Sequence, residues 1–441
     1  MARVLVLATT TGYQTRSFGE AAARLGVELV FATDRCHLID DPWQDAAIPI
    51  RFHEEAESVD AIVAAARARP VDGVLVVGDR PTIIAARVAE ALGLPGHPPG
   101  AAAAARHKRL TRERFRAAGL DVPWFVSSSV DEPFAGGGSR TADAEPWAMA
   151  GEPFPADGPF PCVVKPVSLS GSRGVMRADN EMELRAAVTR LRALLDTPSI
   201  RAEGEAAHRE ILVEGFIPGH EYAVDAVLHH GRLHALAIFD KPDPLDGPFF
   251  EETIYITPPP VDGAAIVQAV GDAASALGLH HGPIHAELRV SPAAGGAPAR
   301  IFVLEVAARP IGGLCARAVR FAGGESLEEM LLRHALGESP DRWQRERDAS
   351  GVMMIPIPKR GILRGVDGLD AARRVPGIDD IRITAKMEQL LLPLPEGASY
   401  LGFIFARAAR SADVDAALRA AHHALFFHIE PELKVVQSRH G

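Results

Sequence analysis

Apolar and polar residues alternate over Ile284–Val290 and again over Arg300–Val306, on either side of a connection rich in Gly, Pro and Ala. A period of two is typical of half-buried strands, and the two alternating segments together predict an antiparallel hairpin with a long loop. One face of this hairpin is uniformly apolar, so we expect it to be buried. Its members are Ile284, Ala286, Leu288, Val290, Phe302, Leu304 and Val306.

The opposite face of the hairpin is polar, with His285, Glu287 and Arg289 on one strand and Glu305, Ala307 and Arg309 on the other. If the loop closes symmetrically, Glu287 lies directly opposite Glu305, with Cβ atoms about 5 Å apart. Two such carboxylates repel each other, and a hard divalent cation such as Mg²⁺ would remove the repulsion. A solvated face with Glu–Arg cross-strand pairs explains the same residues, so the hairpin alone leaves both interpretations open.

The first hundred residues alternate short apolar runs with helical periods. Arg3–Ala8, Glu28–Ala32 and Val71–Val77 are predicted strands, and Thr82–Leu92 is a predicted helix. This alternation predicts parallel βαβ units covered on both faces. Asp34 would suit the ribose of a dinucleotide, but TTTGYQ stands where the GxGxxG fingerprint is needed, which argues against NAD(P) binding.

Two lysines in the next segment are candidates for phosphate contact. Lys108 lies in a predicted helix that ends near Ala118, where a solvated face is the ordinary interpretation. Lys165 ends a predicted strand before a Ser/Gly-rich turn whose backbone N–H groups could form an anion-binding concavity. A flexible hairpin turn is the alternative there, and no Walker A sequence is present.

Acidic residues occur in and beside the apolar strands that follow. Glu214 and Glu221 lie in the predicted strands Ile211–Gly215 and His220–Leu228, and a buried carboxylate needs a partner. An adenine amino group or ribose hydroxyls would serve. Glu251 or Glu252 could hold a substrate ammonium or be a surface acid. Residues 128–159 are rich in Gly, Pro, Ala and Ser and are predicted to form a loop or partly disordered insertion.

The last ninety residues predict a separate small α+β unit. Its strands are expected near Val352–Ile357, Ile381–Lys386 and Leu401–Ala406, with helices at Leu369–Val375 and Ser411–Phe427. Ser411 is the predicted N-cap of the last helix.

Composition limits the function classes. The chain has 441 residues, enough for about three domains. A net charge of −10 without a basic block argues against a nucleic-acid or anionic-membrane surface. The three cysteines are isolated, which fits a reducing compartment. No apolar run approaches the ~18 residues of a membrane span and no signal peptide is evident, so we expect a cytoplasmic protein.

Six segments in order resemble the ATP-grasp superfamily, and more closely its carboxylate–amine ligases of the L-amino acid ligase (dipeptide synthetase) type. They are HKRLTRERFRAAGLDVP, VVKPVSLSGSRGV, LVEGFIPGHEYAVD, IFDKPDPLDGPFFEE, HAELRV and LEVAARPIGG. The resemblance implies an α/β fold, α+β in the nucleotide clamp. A Rossmann-like domain would span residues 1–100, the ATP-grasp domain 101–345 (divided at 220) and a capping domain 350–441.

The resemblance also implies a role for each matching residue. For ATP binding it implies phosphate contacts from Lys108 and Lys165, a mobile loop with Ser170, Gly171 and Ser172, an adenine hinge of Glu214, Phe216 and Ile217, and Glu221 at the ribose. For catalysis it implies a third phosphate contact from Lys241, and Arg309 on the transferred phosphoryl group and oxyanion. Glu287 and Glu305 match the Mg²⁺ ligands. Many ATP-grasp enzymes carry Asn two residues after the second metal glutamate, where this chain has Ala307.

The activity implied is activation of a carboxylate by ATP as an acyl phosphate, followed by attack of an amine, such as that of an amino acid. The cofactors implied are ATP and Mg²⁺ or Mn²⁺, and the partners are small molecules, with a homodimer as one expected assembly. We expect substrate specificity from Glu252 and its neighbours and from Gly312 and Gly313. The alternatives are a purine-pathway ligase, a biotin-dependent carboxylase component, and a nucleotide-binding regulator without turnover.

Overall fold

The computed structural model describes residues 1–9, 13–34, 47–131, 160–293 and 299–432. Most of the predicted insertion at 128–159, the tip of the predicted hairpin and Cys36 therefore lie outside the described residues. The start of that insertion is not a loop, because Ser128 and Ser129 belong to a strand.

The strands are numbered in chain order. They are β1 (Arg3–Ala8), β2 (Glu28–Thr33), β3 (Ile48–Pro49), β4 (Gly73–Val77), β5 (Phe125–Ser129), β6 (Cys162–Pro166), β7 (Met176–Ala178), β8 (Glu210–Gly215), β9 (His220–His229), β10 (Arg232–Asp240), β11 (Ile254–Thr257), β12 (Gly282–Ser291), β13 (Arg300–Ala307), β14 (Ala349–Ile355), β15 (Gly361–Asp367), β16 (Ile378–Ile383), β17 (Leu390–Leu391), β18 (Gly402–Ala408) and β19 (Phe426–Glu430).

The α-helices are numbered in the same way. They are α1 (Tyr13–Leu25), α2 (Glu55–Ala68), α3 (Thr82–Leu92), α4 (Pro99–Arg106), α5 (Lys108–Ala117), α6 (Glu181–Leu195), α7 (Pro198–Arg201), α8 (Ala264–Leu277), α9 (Leu327–Ala335), α10 (Leu369–Arg373) and α11 (Ser411–His423).

The first sheet is parallel, in the order β3-β2-β1-β4. Its central strand β1 is buried on both faces, because α1 packs against one face and α3 against the other. This is the covered parallel sheet that the alternation of strands and helices predicts. A second sheet, β5-β8-β6-β7, is antiparallel and packs against the apolar face of α6.

The third sheet has eight strands in the order β13-β12-β9-β10-β11-β14-β18-β16. Strand β11 pairs with β14, so this sheet runs without a break across the predicted boundary near residue 350. The C-terminal segment thus extends the sheet of the central region, and only β17, β15 and β19 form a small sheet of their own. The exact domain limits remain a prediction.

The end of the chain departs from the sequence-based prediction. Helix α11 ends at His423, and the predicted helical residues Phe426 and Phe427 begin strand β19 instead. The predicted N-cap is also wrong. Arg410 occupies the cap position without a side-chain cap, whereas the Ser411 hydroxyl donates to the carbonyl oxygen of Pro258 at 2.8 Å.

The predicted hairpin is β12–β13, and Glu287 does lie opposite Glu305 in its register. The prediction of its apolar face was wrong in part, because a β-bulge follows this pair and shifts the alternation by one residue. Val303 therefore faces the buried core in place of Phe302 and Leu304. The bulge turns Leu304 toward a cavity. The carbonyl oxygen of Leu304 accepts a hydrogen bond from the buried Arg112.

Within the described ranges, no helix combines the length and the apolar character that crossing a membrane requires.

The junction between β11 and β14 leaves no room for a side chain at Gly351. A Cβ there would lie 2.9 Å from the carbonyl oxygen of Tyr255 and 2.7 Å from Cγ1 of Val414. We expect Gly351→Ala to lower the free energy of unfolding by about 1–3 kcal/mol, because strand backbone cannot move aside. Chemical denaturation measures this change.

The matched control is Gly271→Ala in α8, where the nearest atom is 3.8 Å away. Since alanine favours a helix interior, this variant should gain up to about 1 kcal/mol. Equal losses in both variants would contradict the interpretation of the junction.

Candidate active site

A cavity of about 630 Å³ opens between the β5–β8 sheet and the eight-stranded sheet. The loop after β4 contributes Asp79 to its wall, and the C-terminal segment contributes Tyr400. All predicted site residues except Lys241 line this cavity. These are Lys108, Lys165, Ser170, Gly171, Ser172, Glu214, Phe216, Ile217, Glu221, Glu252, Glu287, Glu305, Arg309, Gly312 and Gly313.

A buried ion triad forms the rear of the predicted nucleotide end. Both oxygens of Glu214 are engaged by Arg112, at 2.9 and 3.1 Å, and Lys165 also donates to this carboxylate. Glu214 therefore has protein partners and does not need an adenine amino group to satisfy it. Its contact with ATP remains a prediction, whereas its observed role is to hold Lys165 in place.

Lys165 is almost fully buried. Burial lowers the pKa of its ammonium to about 8, because the attraction of Glu214 offsets only part of the desolvation and Arg112 adds repulsion. The nearby Lys108 lies at the cavity edge, with its Nζ 2.9 Å from the carbonyl oxygen of Leu169 and 3.2 Å from Glu305. Two ammonium groups thus approach the same region of the cavity from different elements.

The Ser/Gly-rich turn after β6 forms part of the cavity wall. Gly171 and Ser172 both have positive φ angles, of 65° and 54°, which turns the chain sharply. The turn is tied to the C-terminal segment, since the N–H of Gly174 donates to the carbonyl oxygen of Pro395 at 2.9 Å and Arg173 donates to that of Glu396. The structure therefore shows this turn docked over the cavity.

Lys241 is the predicted site residue that does not line the cavity. It is 2 % exposed, and its ammonium lies 2.7 Å from Glu221 and 3.4 Å from Glu287, with a further bond to Glu252. Three carboxylates surround the Nζ, so the observed role of Lys241 is to neutralise the acidic group that Glu221, Glu252 and Glu287 form. Its contact with a phosphate remains a prediction.

Among the carboxylates around Lys241, Glu252 has its proton affinity raised by its surroundings. Burial and the neighbouring Glu287 raise the pKa of Glu252 to about 7, although Lys241 opposes the shift. The Tyr255 hydroxyl donates to Glu252 at 2.9 Å and lies 3.4 Å from Glu287. Glu221 accepts from Arg289 at 2.8 Å as well as from Lys241, so its carboxylate is paired even without a ribose.

His285 lies beneath the hairpin carboxylates, opposite Ala307 as the sequence predicts. Its Nδ1 is 3.1 Å from Asp225 and its Nε2 is 3.7 Å from Glu287. Burial opposes the charged form, but these two acids outweigh it and raise the pKa of His285 to about 9. The imidazolium therefore fixes Glu287 from below.

Arg309 closes the cavity on the side of the first sheet. Its guanidinium donates to Asp79 in two bonds, at 2.9 and 3.1 Å, and to the carbonyl oxygen of Pro310 at 3.0 Å, and its side chain forms part of the cavity wall. Asp79 holds the pKa of this guanidinium above its ordinary value against the effect of burial. The pair joins the end of β4 to the segment after β13.

Three models of known domains match the chain in sequence order. The ATP-grasp N-terminal domain matches residues 19–96, the ATP-grasp domain matches 158–318, and the L-amino acid ligase C-terminal domain 2 matches 353–430. The chain is an ATP-grasp protein of the L-amino acid ligase type. The C-terminal match sets this ATP-grasp protein apart from the purine-pathway and carboxylase branches considered as alternatives.

Individual relatives agree with this placement. The crystal structure of L-amino acid ligase from Bacillus licheniformis is 28 % identical with a TM-score of 0.77, and the match covers 98 % of this chain and 99 % of that one. Carnosine synthase 1 from Gallus gallus is 31 % identical over 309 residues, and ATP-grasp enzyme fsqD from Aspergillus fumigatus is 29 % identical over 294. The matches cover 65 % and 62 % of this chain, but only 31 % and 46 % of those two relatives.

Sequence reasoning missed several residues that organise the site of this ATP-grasp protein. Arg112 appeared only as one charge on a helix, and Asp225 as one of many residues in a strand. Asp79 could have been found, because a polar residue directly after a buried parallel strand lies at the edge where such sheets bind ligands. Nothing local to Arg112 indicates its burial, which results from the packing of α5 against α4 and α8 and from the contacts of its guanidinium with Glu214 and the Leu304 carbonyl.

The Arg112–Glu214 pair provides a test of the triad in this ATP-grasp protein. Arg112 is completely buried and also donates to the carbonyl oxygen of Leu304 at 2.8 Å. We expect Arg112→Met to lower the free energy of unfolding by about 3 kcal/mol, because it leaves an excess buried charge. The exposed pair of Arg185 with Glu181 is the control, and Arg185→Met should cost at most about 0.5 kcal/mol. A loss under about 1 kcal/mol in Arg112→Met would contradict this account.

The lowered pKa of Lys165 predicts a pH dependence of ATP binding. As pH rises from 7 to 9 through about 8, the protonated fraction of Lys165 falls from about nine-tenths to about one-tenth, so phosphates bound at the predicted site would lose a charged partner. We expect the ATP dissociation constant, measured by calorimetry without an amine substrate, to increase up to about tenfold. Lys165→Arg stays charged and should bind with a flat profile over this range. An equally steep profile in that variant would rule out Lys165 as the titrating group.

Proposed function

We propose that this protein is an ATP- and Mg²⁺-dependent carboxylate–amine ligase that joins an amino acid, through an acyl phosphate, to an amine such as that of a second amino acid. The observation that carries the proposal is the convergence of opposed glutamates, two lysines and one arginine on a single cavity. The products would be a dipeptide or another amide, ADP and phosphate. The domain matches and the L-amino acid ligase from Bacillus licheniformis support this class.

The residues of the hairpin fit a hard divalent cation. Glu287 and Glu305 lie opposite each other on the cavity side, and each is near an ammonium group, at 3.4 Å from Lys241 and 3.2 Å from Lys108. Carboxylate oxygens that attract cations from two sides are the ligand type Mg²⁺ prefers. Bound there, Mg²⁺ would neutralise charge on the phosphates. Ala307 offers no third side-chain ligand on that strand.

The chain's own groups suit phosphoryl transfer without a nucleophilic side chain. A carboxylate oxygen of the substrate attacks the γ-phosphorus, the bond to the β,γ-bridging oxygen breaks, and ADP leaves with its electrons. The amine then attacks the acyl carbon, phosphate leaves, and the nitrogen loses a proton. Lys108 and Lys165 would stabilise the charge on the phosphates, and Arg309 that on the phosphoryl group and the oxyanion. The docked Ser/Gly-rich turn would exclude water from the acyl phosphate.

The predicted substrate end of the cavity is lined by groups from three regions. Glu252 precedes β11 and Tyr255 belongs to it, Gly312 and Gly313 follow β13, and Tyr400 precedes β18. The carboxylates there suit a substrate ammonium, and the glycines leave space beside Arg309 for a carboxylate. Substrate choice would then depend on the C-terminal segment as well as on the clamp. A cytoplasmic location and a homodimer remain predictions of the sequence.

The reaction can be tested by product analysis with Glu305→Gln as the catalytic variant. With ATP, Mg²⁺ and a panel of amino acids, the wild type should release ADP and phosphate in amounts that depend on the amino acid. Glu305→Gln should lower turnover by at least about 100-fold, because it removes one anionic ligand of the metal, and should keep the wild-type melting temperature. Glu57→Gln, on the exposed face of α2, is the matched control and should keep full activity.

Two results would contradict the proposal. AMP with pyrophosphate as products would exclude the acyl-phosphate route. ATP binding without any amino-acid-stimulated release of ADP would favour the nucleotide-binding regulator.

A further inference from the structure

Imidazole groups from three separate segments meet at the end of the large sheet away from the active site. His229 ends β9 and His230 follows it, His281 directly precedes β12, and His334 is near the end of α9. Six residues of extended chain separate His281 from Glu287, which corresponds to about 20 Å at the rise of a strand. This group therefore belongs to a region distinct from the proposed ligase site.

The imidazole rings are close enough to share an ion. His229, His230 and His281 each offer one ring nitrogen, and these three atoms lie within 4.8 Å of one another. Nδ1 of His229 is 3.2 Å from Nε2 of His334, and the rings of His281 and His334 stack with centroids 4.3 Å apart. His281 and His334 are buried, whereas His230 is exposed. The group is thus anchored from inside and open to solvent on one side.

The described part of the chain contains two other groups of three potential metal ligands. In each of them, a basic side chain of the protein already pairs with the carboxylates. The acidic group around Lys241 encloses an ammonium, as described above. In the second group, formed by Glu203, Glu205 and His208, the Nε of Arg80 lies 3.0 Å from Glu205. The histidine group differs from both because its members are imidazoles that contact one another.

We propose that His229, His230 and His281 form a binding site for a divalent transition-metal ion, with Zn²⁺ as the first candidate. Imidazole nitrogen suits Zn²⁺, Cu²⁺ and Ni²⁺, whereas Mg²⁺ takes oxygen ligands. Tetrahedral Zn²⁺ with bonds of about 2.0–2.1 Å holds its nitrogen ligands about 3.4 Å apart. The three ring nitrogens lie within 4.8 Å of one another, and rotation of the exposed His230 side chain can bring its nitrogen closer to the other two.

The surroundings of the three histidines support coordination. A metal-bound histidine usually gives its second ring nitrogen a hydrogen-bond partner, which fixes the ring, and His334 is placed to be that partner for His229. The backbone N–H of His230 donates to Nδ1 of His281 at 3.4 Å, which fixes the orientation of this ring. The φ angle of His230 is 51°, which directs the chain around the turn between β9 and β10.

An ion at this position would connect elements that are distant in sequence. It would join the β9–β10 turn to the connection between α8 and β12, with α9 packed behind through His334. The same two strands, β9 and β12, carry Asp225, His285 and Glu287 at the active site. The metal would therefore fix the far ends of the strands that position the catalytic carboxylates.

The test is Zn²⁺ binding to untagged full-length protein, measured by calorimetry. An excess of Mg²⁺ is present so that it already occupies the carboxylate sites. We expect one tight equivalent in the wild type. His230→Asn, which tolerates the positive φ angle, should weaken binding by at least about 100-fold. His334→Asn should weaken it by about 10–100-fold, the usual cost of losing the partner of a ligand. Co²⁺ should give the visible absorption of a tetrahedral nitrogen site.

The control variants separate this site from the others. His423→Asn, a surface histidine of α11, and Glu305→Gln, at the ligase site, should both keep the tight equivalent and the Co²⁺ spectrum. The proposal is overturned if wild type and His230→Asn bind Zn²⁺ equally, or if Glu305→Gln removes the tight equivalent. Either result would mean that these histidines are packed side chains at the end of the sheet and do not form a metal site. Because the readout is binding and absorption, failure of the ligase proposal would not affect it.

Discussion

The central constraint on this protein is the placement of several carboxylates on one face of a largely buried sheet. Glu221, Glu252 and Glu287 come within bonding distance of a single ammonium, and Glu305 lies on the adjacent strand. Such a group is stable only if cations compensate for the lost hydration. Lys241 provides the permanent part of this compensation. The remaining negative charge faces the cavity, where, under the proposed function, a metal ion and a substrate ammonium would balance it.

The same principle organises the other walls of the cavity. Arg112 and Lys165 compensate Glu214, and Asp79 compensates Arg309. Each pair joins elements far apart in sequence, so the ionic contacts also position the first sheet and the clamp around one space. Under the proposed function, phosphates entering this space would meet lysines that are already fixed, which would lower the reorganisation required during phosphoryl transfer.

Much of this arrangement follows from local sequence patterns, and the remainder depends on tertiary packing. Alternation of apolar residues predicted the β12–β13 hairpin and the opposition of Glu287 and Glu305, because strand period and register are local properties. The bulge near Leu304 was not predictable, since one extra residue leaves the composition of the strand unchanged. Lys241 was expected from the resemblance to contact a phosphate, and only the folded arrangement of β9, β12 and the segment before β11 shows that carboxylates surround it.

The pairing of β11 with β14 has a consequence for how the molecule can be divided. If the chain ended before β14, strand β11 would become the open edge of a five-stranded sheet, with unpaired backbone groups beside the apolar side chains Ile254 and Ile256. Exposed apolar edges of this kind recruit other chains and aggregate. The C-terminal segment therefore acts as an edge protector of the catalytic core, and exchange of this segment between related ligases must preserve the β11–β14 register.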